Sequence, residues 1–214
     1  SQINPHFLYN TLEVIRMKAV CNGDREVGKM LYSMAVTFRA QIKEADIITL
    51  AQELHYSKKY MELFEFRYQN QFQAAVECPE EYLQVPIIKF VLQPIIENYF
   101  IHGMRMKEPD NFIRIAVEKE DGERFRIIVE DNGKGMTVQE LAKKNQELEH
   151  DIMEKRSSIG IANVNRRLKA VYGKQYGIRM EAGPGGGLRV VLRFEPGVHE
   201  NQEEGEVQDE EGND

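Results

Sequence analysis

The spacing of apolar residues changes once along this chain, near residue 70, and that change limits what the chain can fold into. Before it, Phe7, Leu8, Leu12, Ile15 and Ala19 recur at three- and four-residue steps, the period of a helix with one apolar face. Cys21–Asp24 (CNGD) has turn chemistry, and a second stripe follows in Leu31, Met34, Ala35, Phe38 and Ile42. A third helix is expected from near Thr49 to about Tyr68, with Leu50, Leu54, Tyr60, Met61, Leu63 and Phe64 on its apolar face. Thr49 is its candidate N-cap, although Glu53 lies one step beyond capping-box spacing. After residue 70, Phe72–Cys78 alternates like a strand. Pro86–Met104 reads as an apolar helix with proline at its start. Phe112–Lys119 and Phe125–Glu130 read as strands paired about a turn at Asp121–Gly122. Thr137–Arg156 is polar with helical composition, Ile161–Tyr172 reads as a helix, and Ile178–Glu181 and Leu188–Phe194 as strands about a glycine-rich turn. The expected class is α+β: a helical hairpin module over residues 1–70, then helices on one face of a sheet over 71–196.

The net charge of −7 belongs mostly to residues 197–214, which hold eight acids and no Lys or Arg. The rest carries 28 bases against 27 acids, so no direct nucleic-acid or membrane-surface binding is expected of it. The acidic stretch reads as a solvated, disordered tail. Cys21 and Cys78 make neither a disulfide framework nor a metal cluster, and a reducing compartment is the default. No apolar run approaches the roughly 18 residues that span a bilayer, and no signal peptide is visible. The chain opens inside a motif, as a fragment of a longer protein would.

Four segments after residue 85 carry chemistry. Gln93-Pro94-Ile95-Ile96-Glu97-Asn98, followed by His102 and Gly103, puts polar groups on a helix apolar enough to be buried, and such groups need partners. In Asp131-Asn132-Gly133-Lys134-Gly135-Met136 a carboxylate ends an apolar strand, where it can accept a hydrogen bond from an exocyclic amine such as adenine N6. Gly133 and Gly135 let backbone approach a ring or a phosphate. Ser157-Ser158-Ile159-Gly160-Ile161-Ala162-Asn163 runs a glycine-bearing loop into a helix, so free amides and the positive dipole end point at one place. Gly183-Pro184-Gly185-Gly186-Gly187 precedes the last strand. Each alone has a bland reading as a turn, a cap or a satisfied core group.

In this order the four segments resemble the N, G1, G2 and G3 boxes of the GHKL ATP-binding fold, over roughly residues 85–195. The resemblance implies a two-layer sandwich with a mixed sheet, binding ATP and Mg2+. It implies that Asn98 holds Mg2+ through its side-chain oxygen, which suits a hard cation that keeps much of its water. By the same resemblance Asp131 reads adenine, Gly133 and Gly135 allow close approach, Gly160 and Asn163 start the helix facing the phosphates, and His102 and Lys134 are secondary contacts. Gly187 belongs to the third glycine box, but the family often has Thr where this chain has Leu188, which points that box toward a structural role. Thr137–Arg156 would be a mobile lid over the nucleotide. Glu97 would activate water in GHKL ATPases; in a kinase it would polarise the acceptor or help bind the metal.

The chain opens with Gln2-Ile3-Asn4-Pro5-His6-Phe7-Leu8-Tyr9-Asn10. Asn4 can cap a helix and Pro5 can be its first residue. His6 then sits in the first turn, where the dipole favours a neutral, nucleophilic imidazole and the phosphoryl group it would accept. QINPHFLYNTL resembles the phosphoacceptor box of the LytS-type sensor histidine kinases, and QPIIENYFIHG resembles that family's N box. The resemblance implies that His6 is autophosphorylated from Mg-ATP and passes its phosphoryl group to an aspartate on a response-regulator receiver domain. It also implies a homodimer on the cytoplasmic face of a membrane-embedded parent. Phe7 replaces the acid that follows the histidine in many other kinases, so the base is open and Glu97 is a candidate. Asn10, one turn beyond His6 on the same face, is expected to position water or the partner's aspartate. Two other readings are an ATPase without a phosphohistidine, which leaves the opening motif unused, and an inactive scaffold, against which Asn98, Asp131 and His6 stand.

Overall fold

The computed structural model describes residues 5–43, 45–106, 108–151 and 159–197. The expected caps at Asn4, Ser157 and Ser158, the last residues of the expected lid, and the acidic tail beyond Gly197 lie outside the described residues.

The first module is a helical hairpin. Helix α1 spans Pro5–Cys21 and α2 spans Arg25–Lys43. The turn between them uses Gly23 at a φ of +83°, and the Asp24 side chain accepts a hydrogen bond from the Val27 amide at the head of α2. The two helices run antiparallel, and Arg39 near the end of α2 lies over the Tyr9 ring near the start of α1. A third helix, α3 (Leu50–Arg67), leads from the hairpin to the second module. Its cap is Thr49, as the sequence suggests, and the reciprocal partner of the capping box is Gln52 rather than Glu53. Glu53 is thereby left free for another task.

Strand β1 (Ile47–Thr49) pairs antiparallel with β3 (Pro86–Ile88). The main sheet has the order β2-β4-β5-β7-β6, built from Phe72–Glu77 (β2), Asn111–Lys119 (β4), Phe125–Asp131 (β5), Gly177–Ala182 (β6) and Leu188–Phe194 (β7). The β2–β4 pair is parallel and the others are antiparallel, so the sheet is mixed. Ile113, Ile115, Val117, Ile127, Val129, Val190 and Leu192 join one buried cluster with residues of α3, α4 (Gln93–Asn98) and α6 (Ile159–Tyr172). The opposite face is ionic: Arg114 bridges Glu77 and Glu130, and Glu130 also binds Arg189 on the next strand. One apolar face and one charged face make a two-layer sandwich.

The apolar run expected as one helix from Pro86 to Met104 is divided. Pro86–Ile88 is a strand, and the helix begins only at Gln93. Phe90, between them, has a φ of +56°, a left-handed conformation that no helix accommodates. The buried Glu53 carboxylate holds this corner by accepting hydrogen bonds from the amides of Phe90, Val91 and Leu92. Beyond Asn98 the helix widens into a π-helical turn, Tyr99–Gly103.

The polar stretch expected as a lid contains a regular helix, α5 (Val138–Glu149), started by a capping box between Thr137 and Glu140. It is pinned to the sheet: the Asn145 side chain donates to the Met180 carbonyl and accepts from the Met180 amide, each at 2.8 Å. Asn165 of α6 accepts from the Ile178 amide of the same strand. The two asparagines thus satisfy backbone groups that an edge strand would otherwise leave open. No helix among the described residues is long and apolar enough to cross a membrane.

Candidate active site

The N and G segments meet at one cleft of about 180 Å3, lined by Asn98, Tyr99, His102, Gly103, Asp131, Gly135, Met136, Lys144, Ile161, Met180 and Leu188. A second depression of about 240 Å3 shares Asn98, His102 and Ile161 with it and adds Pro94, Glu97, Ile101 and Gly160. The second lies at the start of α6, where Gly160 lines it.

Asp131 ends β5 and is 6% exposed. Its Oδ1 accepts from the Gly133 amide at 2.8 Å and from the Leu188 amide at 3.3 Å. Burial pushes its carboxyl above the ordinary range, and the two amides pull it partly back. Both hydrogen bonds fall on one oxygen, which fixes the carboxylate plane and leaves the other oxygen for a donor entering the cleft. Such a group suits the amine edge of a base.

The glycines shape the cleft through backbone contact. Gly135 has a φ of +61°, and a Cβ there would stand 1.9 Å from the Gly186 carbonyl oxygen. A Cβ on Gly187 would meet the Asp131 carbonyl oxygen at 2.0 Å. The third glycine box therefore packs against the first and supports Asp131 from behind. Gly133 lies against the Gly103 carbonyl, which accepts from the Lys134 amide, so the DNG turn is tied to the π-turn of the N segment. Gly160 packs on Pro94, which brings the start of α6 beside Asn98.

Asn98 is half-buried and lines both depressions. An amide oxygen at this junction fits Mg2+, which takes few protein ligands and fills its remaining positions with water and phosphate oxygens. Glu97 is exposed in the second depression, on the side of Tyr60, whose hydroxyl is pushed up to about 12 by burial and then by Glu97. His102 is exposed in both depressions, and Lys134 is exposed. Asn163 is not brought to either: it is exposed, and its side chain accepts a hydrogen bond from Arg166 one turn along α6. The resemblance implied a phosphate contact for Asn163; here its side chain is engaged with Arg166.

The cleft also holds residues that sequence reading passed over: Tyr99, Lys144 and Met180. Lys144 directly precedes Asn145, whose side chain clamps α5 to β6 at Met180, across 35 positions of sequence.

His6 is exposed in the first turn of α1, and Asn10 Nδ2 lies 3.2 Å from its Nδ1. Because α1 and α2 are antiparallel, His6 sits at the end of the hairpin where α2 finishes. There the Gln41 side chain contacts that of Gln93, at the head of the helix carrying Asn98.

Comparisons with known proteins agree with this arrangement. Residues 1–72 match a family model described as histidine kinase, and residues 85–197 match one described as histidine kinase-, DNA gyrase B-, and HSP90-like ATPase. The chain is 32% identical to the sensor histidine kinase YesM of Bacillus subtilis over 90% of its length, 30% identical to BtsS of Escherichia coli over 91%, and 29% identical to the sensor histidine kinase/phosphatase LytS of Staphylococcus aureus over 85%. It spans about a third of the length of these relatives: 32%, 32% and 31%. In fold it is similar to the histidine kinase domain of the Erythrobacter litoralis EL346 blue-light activated histidine kinase, with a TM-score of 0.52 at 12% identity, covering 91% of this chain and 87% of that one. It is also similar to the catalytic domain of histidine kinase ThkA, with a TM-score of 0.51 at 14% identity, covering 72% and 97%. With the GHKL-type sandwich, the cleft under Asp131 and both family segments in sequence order, the chain belongs to the sensor histidine kinases.

Proposed function

We propose that this chain binds Mg-ATP in the cleft between α4, α5 and α6 and transfers the γ-phosphoryl group to His6, from which it passes to an aspartate of a response-regulator receiver domain. The observation that carries this reading is the buried Asp131 carboxylate, held on one oxygen by two amides and facing a cleft ringed by the N and G segments. In this reading Asp131 accepts from the adenine amine, and Met136, Ile161, Met180 and Leu188 enclose the ring. Asn98 holds Mg2+, which would neutralise phosphate charge when bound. His102, Lys134 and the amides from Gly160 onward face the phosphates. Gly133, Gly135 and Gly187 keep the backbone walls in place. Phosphoryl transfer asks mainly for positioning and charge neutralisation, so Glu97 serves by polarising the acceptor imidazole or supporting the metal, and Asn10 orients the His6 ring.

A dimer of hairpins would present His6. Phe7, Val14, Ile15 and Met17 on α1, and Val27, Met30, Met34 and Ile42 on α2, are exposed apolar residues, and two such hairpins packed together make a four-helix bundle. Residues 1–70 would then be the dimerisation and phosphotransfer module and 71–196 the catalytic module, on the cytoplasmic face of a membrane-embedded parent.

The test is autophosphorylation with γ-labelled ATP and Mg2+ in the wild type, His6→Gln and Asp131→Asn. Acid-labile label on the wild type, absent from both variants, is the expected result. Phosphate release that survives His6→Gln with no labelled protein would instead establish an ATPase.

A further inference from the structure

Tyr99 follows Asn98 directly, lines the cleft and is 2% exposed. Its ring packs edge-on to Phe100, yet its hydroxyl is buried with no hydrogen-bond partner among the described residues. An enclosed hydroxyl without a partner costs stability, and a phenylalanine would fill the same space without that cost. Asp131, Arg105 and Asp110 are charged groups that act on it. Arg105 offers no acceptor, and Asp110 is a largely exposed carboxylate already paired with Arg105. Asp131 is a buried acceptor lining the same cleft, and its Oδ1 is already occupied by the Gly133 and Leu188 amides.

We propose that Tyr99 is a positioning residue for base recognition, its hydroxyl donating to the Asp131 carboxylate as the base enters and so holding that carboxylate ionised and aimed at the exocyclic amine. The inference rests on the reading of Asp131 as the base-binding group. A carboxylate fixed in this way accepts from the amine of adenine and repels the carbonyl oxygen that guanine carries at the same place. The unfilled hydroxyl is then a cost borne by the empty site and relieved on binding.

The test compares the whole chain with Tyr99→Phe and Asp131→Asn, measuring the affinities of Mg-ATP and Mg-GTP by calorimetry over a range of pH, with thermal unfolding of the nucleotide-free forms. Tyr99→Phe is expected to melt at or above the wild-type temperature, to bind ATP about tenfold more weakly and to bind GTP unchanged. Its loss of ATP affinity on acidification should begin at higher pH, because the carboxylate has lost a donor. Wild-type ATP affinity, an equal loss for ATP and GTP, or a lower melting temperature of the nucleotide-free variant would each overturn the inference. If Asp131→Asn itself binds ATP as the wild type does, the base-binding reading fails and takes this inference with it; if only Tyr99→Phe is silent, that reading stands alone.

Discussion

The Glu53 carboxylate on α3 accepts a hydrogen bond from the Val91 amide at 2.8 Å, across 38 residues of sequence. The same oxygen accepts from Leu92 at 2.9 Å and the other from Phe90 at 2.7 Å. Arg167 of α6 donates to the Lys89 carbonyl in the same corner. The helix leaving the hairpin is thus bolted to the corner from which the Asn98 helix starts.

Glu53→Ala leaves three buried amides without an acceptor and is expected to cost about 3 kcal/mol, read by urea unfolding. Glu53 also gives stability a pH dependence. Burial raises its carboxyl from the ordinary 4.5 to about 7, against the pull of the Leu92, Phe90 and Val91 amides and of Arg167. The folded protein therefore binds this proton more tightly than the unfolded chain does. The associated stability is fully present below about pH 4.5 and declines as pH rises toward 7. Glu53→Gln cannot titrate, so its stability should fall less than the wild type's between pH 5 and pH 8, whatever its overall offset. Identical slopes would refute the assignment.

Gly135→Ala combines a positive φ with a Cβ placed 1.9 Å from the Gly186 carbonyl oxygen. We expect a loss of about 3 kcal/mol in stability and no measurable nucleotide binding in whatever fraction stays folded. Thermal unfolding with and without Mg-ATP reads both, and a variant that melts normally and still shifts with ATP contradicts the backbone packing described above.

Asn145→Ala removes both hydrogen bonds between α5 and the Met180 backbone. A cost of about 1–3 kcal/mol follows, together with weaker ATP binding, because the clamp joins α5 to β6 beside Lys144 and Met180, which line the cleft. Amide exchange should quicken in β6 and α5 and stay unchanged in β4 and β5. Uniform quickening would mean that the clamp is not local.

Asn10→Ala frees the His6 ring from its neighbour one turn along. Autophosphorylation is expected to drop only a few-fold, since the ring keeps its place in the helix. Dephosphorylation of the partner's aspartate should drop roughly tenfold, because it depends on a positioned water. Equal effects on the two reactions would remove that role from Asn10.

The hairpin with its turn at Cys21–Asp24, the Thr49 helix start, the paired strands of the sheet and the ordered N and G segments were legible in the sequence because each depends on local period, cap or turn chemistry. His6, Asn98, Asp131 and Gly160 could be picked out for the same reason: their motifs are contiguous. The break in Pro86–Met104 was not legible. An apolar run of this kind has no period that separates a buried strand from a buried helix, and the corner at Phe90 is set by Glu53, 37 residues earlier. Nor could the sequence show that Asn163 faces Arg166, that α5 is stapled to β6, or that the Tyr99 hydroxyl is buried in the cleft that Asp131 lines. Local chemistry determined most of the elements and which residues stand as candidates for function, whereas long-range hydrogen bonds and backbone contacts decided which of those candidates share the cleft.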